Sequence, residues 1–170
     1  TTLPYKQVAV YRNNDISTML YPHVIYAASR RYNDAYILVE INDAGGQVAD
    51  ILHYDLECET VLWVGSKGRG GQTVGSSVNS KPGVRTTTSV KAIGCGNLRT
   101  MFDAHKIEIC DKDTFTELTS FVAKGNSYEA DRGSHDDCVM TLVLFAWLAD
   151  QPYFNDMFNK DTRRDMIEQK

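Results

Sequence analysis

The sequence predicts an α/β domain, a mixed sheet flanked by helices, on three observations. Residues 35–41 (Ala-Tyr-Ile-Leu-Val-Glu-Ile) form a nearly continuous apolar run, which reads as a strand covered on both faces, as in a parallel sheet. A loop, a segment of helical period (residues 47–57) and a short apolar strand (residues 61–64) follow it. That β-α-β order implies a right-handed crossover to a parallel neighbour. Residues 134–149 are almost wholly apolar, as in a helix buried on most sides.

The other elements fall around these. Residues 6–11 alternate about Val8 and Val10 and predict a strand, closed by the turn cluster Arg12-Asn13-Asn14-Asp15. Residues 17–32 carry Met19, Leu20, Val24, Ile25 and Ala28 near helical period, and Pro22 suits a first turn. Residues 65–82 are rich in Gly, Ser and Lys without a core pattern, too long for a simple connector, and predict a functional or partly disordered loop. A helix over residues 86–103, weakened by Gly94 and Gly96, precedes a short strand at 106–110. A helix at 114–122, a short extended piece at 127–130 and the buried helix complete the domain, expected to span residues 1–150. Residues 151–170 form a polar tail, in which a loose helix is expected.

The chain has 170 residues, enough for one domain and one core, and a formal net charge of −4. The whole is therefore no basic nucleic-acid binder, and any polyanion site must be local. No apolar stretch approaches the ~18 residues of a membrane span, and the N-terminus has no basic and apolar signal-peptide regions. It also lacks an initiator Met, as expected of an excised or processed chain. Cys58, Cys95, Cys110 and Cys138 are widely spaced with no C-x-x-C pair, which disfavours a zinc knuckle or a disulfide scaffold. They read as reduced, mostly packing cysteines. No G-x-x-x-x-G-K-[ST], G-x-S-x-G or H-E-x-x-H occurs, so phosphate-loop, hydrolase-elbow and zincin chemistry are disfavoured.

Three features remain that carry chemistry. Glu40 sits near the carboxyl end of an apolar strand, where ligands of open α/β sheets gather. A buried carboxylate needs a compensating partner, so Glu40 holds a cation, pairs with a Lys or Arg, or faces solvent. Ser134-His135-Asp136-Asp137 immediately precedes the buried helix. Ser134 and Asp137 have capping-box spacing, yet a cap alone does not require His135 and two adjacent acids. From Thr60 to Phe102 there is no Asp or Glu, while Lys67, Arg69, Lys81, Arg85, Lys91 and Arg99 lie within that stretch. It is a solvated basic loop or a local phosphate-binding patch.

Several of these residues together carry a family resemblance. Residues 4–13, Val39-Glu40-Ile41-Asn42, residues 90–95, and above all His135-Asp136-Asp137-Cys138-Val139-Met140 through Phe145-Ala146-Trp147-Leu148 resemble the nuclease domain of terminase large subunits from large contractile-tailed phages. The resemblance spans most of the chain, residues 4–148. It implies an RNase H-like fold whose three essential carboxylates come from the first strand, the fourth strand and the start of a late helix. Glu40 resembles the second carboxylate and Asp137 the third, while His135 and Asp136 match flanking motif positions. The first carboxylate has no counterpart, so the resemblance implies a domain lacking its first two strands and one metal ligand. It further implies endonuclease chemistry through Mg2+ or Mn2+, with Glu40, Asp136 and Asp137 as oxygen ligands and Glu40, Asp137 and His135 as catalytic residues. Lys67, Arg69, Lys81, Arg85 and Lys91 would meet double-stranded DNA. The ATPase domain, absent here, the portal and the small terminase subunit would be partners, no membrane would be involved, and the setting would be the host cell cytoplasm. The alternatives are a non-catalytic DNA-grip or docking module, or another RNase H-like nuclease of the resolvase or transposase type.

Overall fold

The computed structural model describes residues 3–67, 71–75, 79–125 and 127–156. The chain divides into two compact units, a central one of Arg12–Thr87 and a terminal one of Thr1–Tyr11 with Thr88–Lys170.

The central unit is built around residues 35–41. Helix α1 (Tyr21–Arg31) precedes them and has Pro22 in its first turn, where a missing N–H costs nothing. Residues 37–41 run parallel to two neighbours. Ile37 N donates to Thr60 O (3.0 Å) and Leu62 N to Ile37 O (2.9 Å) on one side; Val84 N donates to Val39 O (2.7 Å) and Ile41 N to Val84 O (2.8 Å) on the other. The parallel crossover expected from the sequence is therefore present. Helix α2 (Gly45–Asp50) continues into a π-helical segment, Ile51–Asp55, closed by Leu56 N donating to Ile51 O. Ile37, Val39, Val48, Ala49, Leu52, Cys58 and Val61 form the core of this unit.

Two expectations for this unit are corrected. Residues 35–41 are not covered on both faces: Ile37 and Val39 are buried, Leu38 and Glu40 are half-buried, and Tyr36 is 57% exposed. Alternation along a strand gives the two faces separate fates, and an apolar run does not reveal which face is covered. Residues 65–82, expected to be a functional or partly disordered loop, carry strands among their described residues. Strands β2 (Trp63–Lys67), β3 (Gly71–Val74) and β4 (Lys81–Pro82) form an antiparallel sheet in the order β3-β2-β4. The cross-strand pair Val64–Val74 is buried and anchors a hairpin whose other pairs are Gly, Ser, Gln, Thr and Lys. Backbone pairing and one apolar pair hold it, a pattern too sparse to register as alternation.

In the terminal unit, β1 (Tyr5–Lys6) pairs in parallel with β5 (Ile107–Glu108), and Gln7 N donates to Glu108 O to extend the ladder. Val8, Val10 and Tyr11 are exposed, so the expected strand over residues 6–11 is paired only at its beginning. Helix α3 (Thr88–Asp103) packs on α5 (Asp137–Ala149). Gly94, expected to weaken α3, lies against the Val143 backbone, where a Cβ would collide with the carbonyl oxygen. The glycine permits the two helices to approach, and its propensity cost is offset by that packing. Helix α4 (Lys112–Ser120) ends before Phe121; residues 121 and 122, expected to be helical, belong to β6 (Phe121–Lys124), which pairs antiparallel with β7 (Ser127–Ala130). Val139, Leu142, Val143 and Ala146 of α5 bury into a core with Cys95, Leu98 and Ile107. Residues 152–156 are helical.

Candidate active site and basic surface

Glu40 is positioned by backbone on every side. Its residue bridges Val84 in the parallel ladder, and a Cβ added at Gly45 would fall on its carbonyl oxygen. The chain then turns through Asn42, whose side chain donates from Nδ2 to Thr86 O and accepts from Thr86 N at Oδ1, both 3.2 Å. The Glu40 carboxylate is half-buried and has no hydrogen bond or ion pair among the described residues. The structural bonds at this strand end are made by Asn42 instead. The Oγ1 of the same Thr86 is buried without a partner among the described residues.

His135, Asp136 and Asp137 are brought together at the start of α5, with His135 and Asp137 exposed and Asp136 half-buried. The capping box that the Ser134–Asp137 spacing allows does not form. Asp136 is the N-cap residue, and its side chain makes no cap bond. The first N–H groups of α5 are taken by Glu117 of α4, whose Oε2 accepts from Cys138 N (2.7 Å) and Val139 N (3.2 Å). A carboxylate at that end also complements the positive pole of the helix. Glu117 is thus a residue that reading the sequence missed. The bond spans 21 positions, and nothing local to either helix announces it. Its consequence is that Asp136 and Asp137 have no cap to make, and neither carboxylate nor the His135 ring is hydrogen-bonded among the described residues.

A further polar network fixes α4. Asp111 caps it, its Oδ2 accepting from Thr114 N (2.7 Å) and Thr114 Oγ1 (2.8 Å). Gln7 Nε2 donates to the buried Thr114 Oγ1 (3.1 Å), and its Oε1 accepts from Asp111 N (3.1 Å). This network ties β1 to the helix that carries Glu117, so the start of α5 rests on a rigid neighbour.

The basic residues divide between the units. Lys67 ends β2, Lys81 lies in β4 and Arg85 follows it, all in the central unit; Lys91 is in α3 of the terminal unit. Lys81 and Arg85 are exposed and have no ion pair among the described residues. The Arg85 backbone is held on both sides by Gln72, which donates to Arg85 O (2.6 Å) and accepts from Arg85 N (3.1 Å). Lys91 Nζ stands 5.8 Å from the Phe121 ring centroid, a cation–π distance. Arg69 lies outside the described residues.

Burial raises the Cys95 thiol above its ordinary value, and the nearby Lys91 charge partly opposes this. Cys58 and Cys138 are also buried and outside any disulfide, whereas Cys110 is exposed. Packing therefore accounts for three of the four cysteines. Among the described residues, no three His, Cys, Asp or Glu side chains converge as a metal-holding group, and no helix is long and apolar enough to cross a membrane. Glu40 belongs to the central unit and His135, Asp136 and Asp137 to the terminal unit. The family model of the terminase RNaseH-like domain matches residues 3–146, and the chain belongs to that family, which carries a nuclease role in DNA packaging.

Proposed function

We propose that this chain provides the catalytic carboxylates Glu40 and Asp137 of a metal-dependent endonuclease that cuts concatemeric double-stranded viral DNA during packaging. The observation that carries this reading is the idleness of these carboxylates. Glu40 ends an apolar strand half-buried and unbonded among the described residues, and Asp137 opens a buried helix whose cap is supplied by Glu117. Acidic side chains without a structural duty, at a strand end and a helix start, are candidates for binding a cation.

The donor chemistry fits Mg2+ or Mn2+, which are hard cations preferring carboxylate oxygen. Glu40, Asp137 and Asp136 would hold the metal. When bound, it supplies an activated water and charge stabilisation of the leaving 3′ oxygen. His135, whose imidazole can accept or donate a proton, is assigned proton transfer. Lys67, Lys81, Arg85 and Lys91, together with Arg69, neutralise DNA phosphates and fix the strand without reading bases. The portal, the small terminase subunit and a packaging ATPase domain are the proposed partners, and the host cytoplasm the proposed setting.

The test is cleavage of supercoiled plasmid in Mg2+ and in Mn2+ by the chain and by Glu40→Gln and Asp137→Asn. Weak metal-dependent cutting, as suits a carboxylate set with its first member lacking a counterpart, that is lost in both variants with circular dichroism unchanged is the expected result. Cutting that persists in both variants would remove these residues from the site. DNA binding with no cutting under any metal would favour the grip-module reading, to which the exposed Lys81 and Arg85 lend themselves.

A further inference from the structure

A cleft of about 250 Å3 opens in the central unit, lined in part by Ile41, Asp50, Tyr54, Trp63, Lys81 and Arg85. Ile41 follows Glu40 directly, so alternation along the strand puts this cleft on the face opposite the Glu40 side chain. The cleft is therefore separate from the proposed catalytic carboxylate. Its lining joins a pair of aromatic rings and a pair of cations with no ion-pair partner among the described residues.

We infer that this cleft is a subsite for a single unpaired nucleotide of a DNA strand, with its base against Tyr54 and Trp63 and its phosphate taken by Lys81 and Arg85. The inference rests on the proposed nuclease reading only in taking DNA as the ligand.

Several features of the local structure bear on it. The volume is close to the ~300 Å3 low end of ordinary ligand clefts, room for about one base with its phosphate at the rim. The aromatic rings are held in advance. His53 stands edge-on to both, with centroids 4.7 Å from Tyr54 at 71° and 4.9 Å from Trp63 at 87°. The histidine and Tyr54 lie in the π-helical segment Ile51–Asp55, a local widening frequent at functional sites. Tyr54 is nevertheless 62% exposed, which leaves its face available for stacking. The Arg85 backbone is clamped by Gln72, so the cation projects from a fixed point. Asp50 is the acidic residue of the lining; as an acceptor it suits a base N–H, and it disfavours a second phosphate in the same space. Stacking tolerates any base because every base has a π face, so the subsite would grip strands without sequence preference.

The test uses the intrinsic fluorescence of the chain. Of its two tryptophans, Trp147 is 1% exposed in the terminal unit, so a ligand stacking on Trp63 changes one signal against a constant background. Titration with an oligothymidylate single strand should quench Trp63. Tyr54→Ala should weaken binding roughly tenfold and leave its salt dependence unchanged. Lys81→Ala combined with Arg85→Ala should instead flatten the salt dependence by about 0.7 in slope for each phosphate no longer neutralised. All three substituted side chains are exposed, so folding should survive, with circular dichroism as the check. Absence of quenching, full affinity in Tyr54→Ala, or equal quenching by a blunt duplex would each overturn the subsite. Glu40→Gln separates this from the catalytic proposal: plasmid cutting that survives Glu40→Gln sinks the catalytic assignment alone, while loss of Trp63 quenching in Tyr54→Ala still supports the subsite.

Discussion

Glu40 and Asp137 reach the same condition by different routes. Glu40 is half-buried in a parallel ladder, and its backbone is immobilised by Val84 on one side and by Gly45 pressed against its carbonyl. Asp137 is exposed in the first turn of a helix, where a carboxylate usually serves the helix dipole or the cap. At both places another side chain performs the structural work: Asn42 binds the Thr86 backbone beside Glu40, and Glu117 caps α5 beside Asp137. The difference teaches how function separates from folding. Residues that hold the structure together are bonded, and the neighbouring acids are left with nothing to do in the fold.

The largest effect should come from removing an idle acid. Glu40→Gln and Asp137→Asn should each lower plasmid cleavage beyond the ~10–100-fold that outer-shell partners of a metal typically cost. Neither should change unfolding free energy by more than about 0.5 kcal/mol, because neither side chain is bonded among the described residues. Urea denaturation beside the cleavage assay would check both halves. A variant that unfolds early would show that the acid was structural after all, and the comparison would fail at that position.

The bonded acid should behave in the opposite way. Glu117→Ala removes a charged acceptor from Cys138 N and Val139 N. Charge-assisted hydrogen bonds to a half-buried helix start are worth about 2 kcal/mol together, so the urea midpoint should fall clearly. Glu117→Gln keeps an acceptor and should recover part of that deficit. Stability unchanged in Glu117→Ala would mean that water or another group caps α5 as well.

How legible this was in the sequence follows from the range of the interactions. The parallel crossover showed in the apolar run at 35–41 and the periodic segment after it, because a buried strand and its covering helix each leave a local pattern. Buried α5 was legible for the same reason, and Glu40 stood out as a charge in apolar company. Local spacing left a cap and a functional role both open at Ser134 and Asp137, and could not show that Glu117 supplies the cap from another helix. It was silent on the β2–β3 hairpin, whose residues 65–67 and 71–73 carry no apolar alternation. Gly94 was legible as a glycine but not as a point of close approach, since Val143, its neighbour in space, is remote in the chain.

A smaller effect is expected at the basic surface. Lys81→Ala and Arg85→Ala remove exposed charges that have no ion pair among the described residues, so unfolding free energy should move by less than about 0.5 kcal/mol. Duplex binding should flatten by about 0.9 in the slope of log affinity against log salt for each phosphate no longer neutralised. The weakening should be alike for unrelated DNA sequences, since binding to phosphate carries no base information. Unchanged slopes would remove Lys81 and Arg85 from duplex binding and leave them to the single-strand subsite alone.

The smallest effect should be at Ser134, and it tests the comparison where local reading and tertiary structure disagree. A serine three residues before an aspartate at a helix start has capping-box spacing, and replacing a working serine cap by alanine costs about 1 kcal/mol. Here Ser134 is exposed, its N–H is bonded to Asp131 O (3.0 Å), and α5 begins at Asp137 with Asp136 as its N-cap. The serine is therefore too early in the chain to reach the N–H groups that Glu117 already occupies. Ser134→Ala should change unfolding free energy by no more than a few tenths of a kcal/mol, within the ordinary scatter of surface substitutions. Ser134→Ala combined with Glu117→Ala is the sharper measurement. If Ser134 has no part in the cap, the double variant should be as unstable as Glu117→Ala alone. A further destabilisation near ~1 kcal/mol in the double variant would show that the serine takes over the helix start once Glu117 is gone. The two caps would then be alternatives, and the release of Asp137 from structural duty would depend on which one is in use.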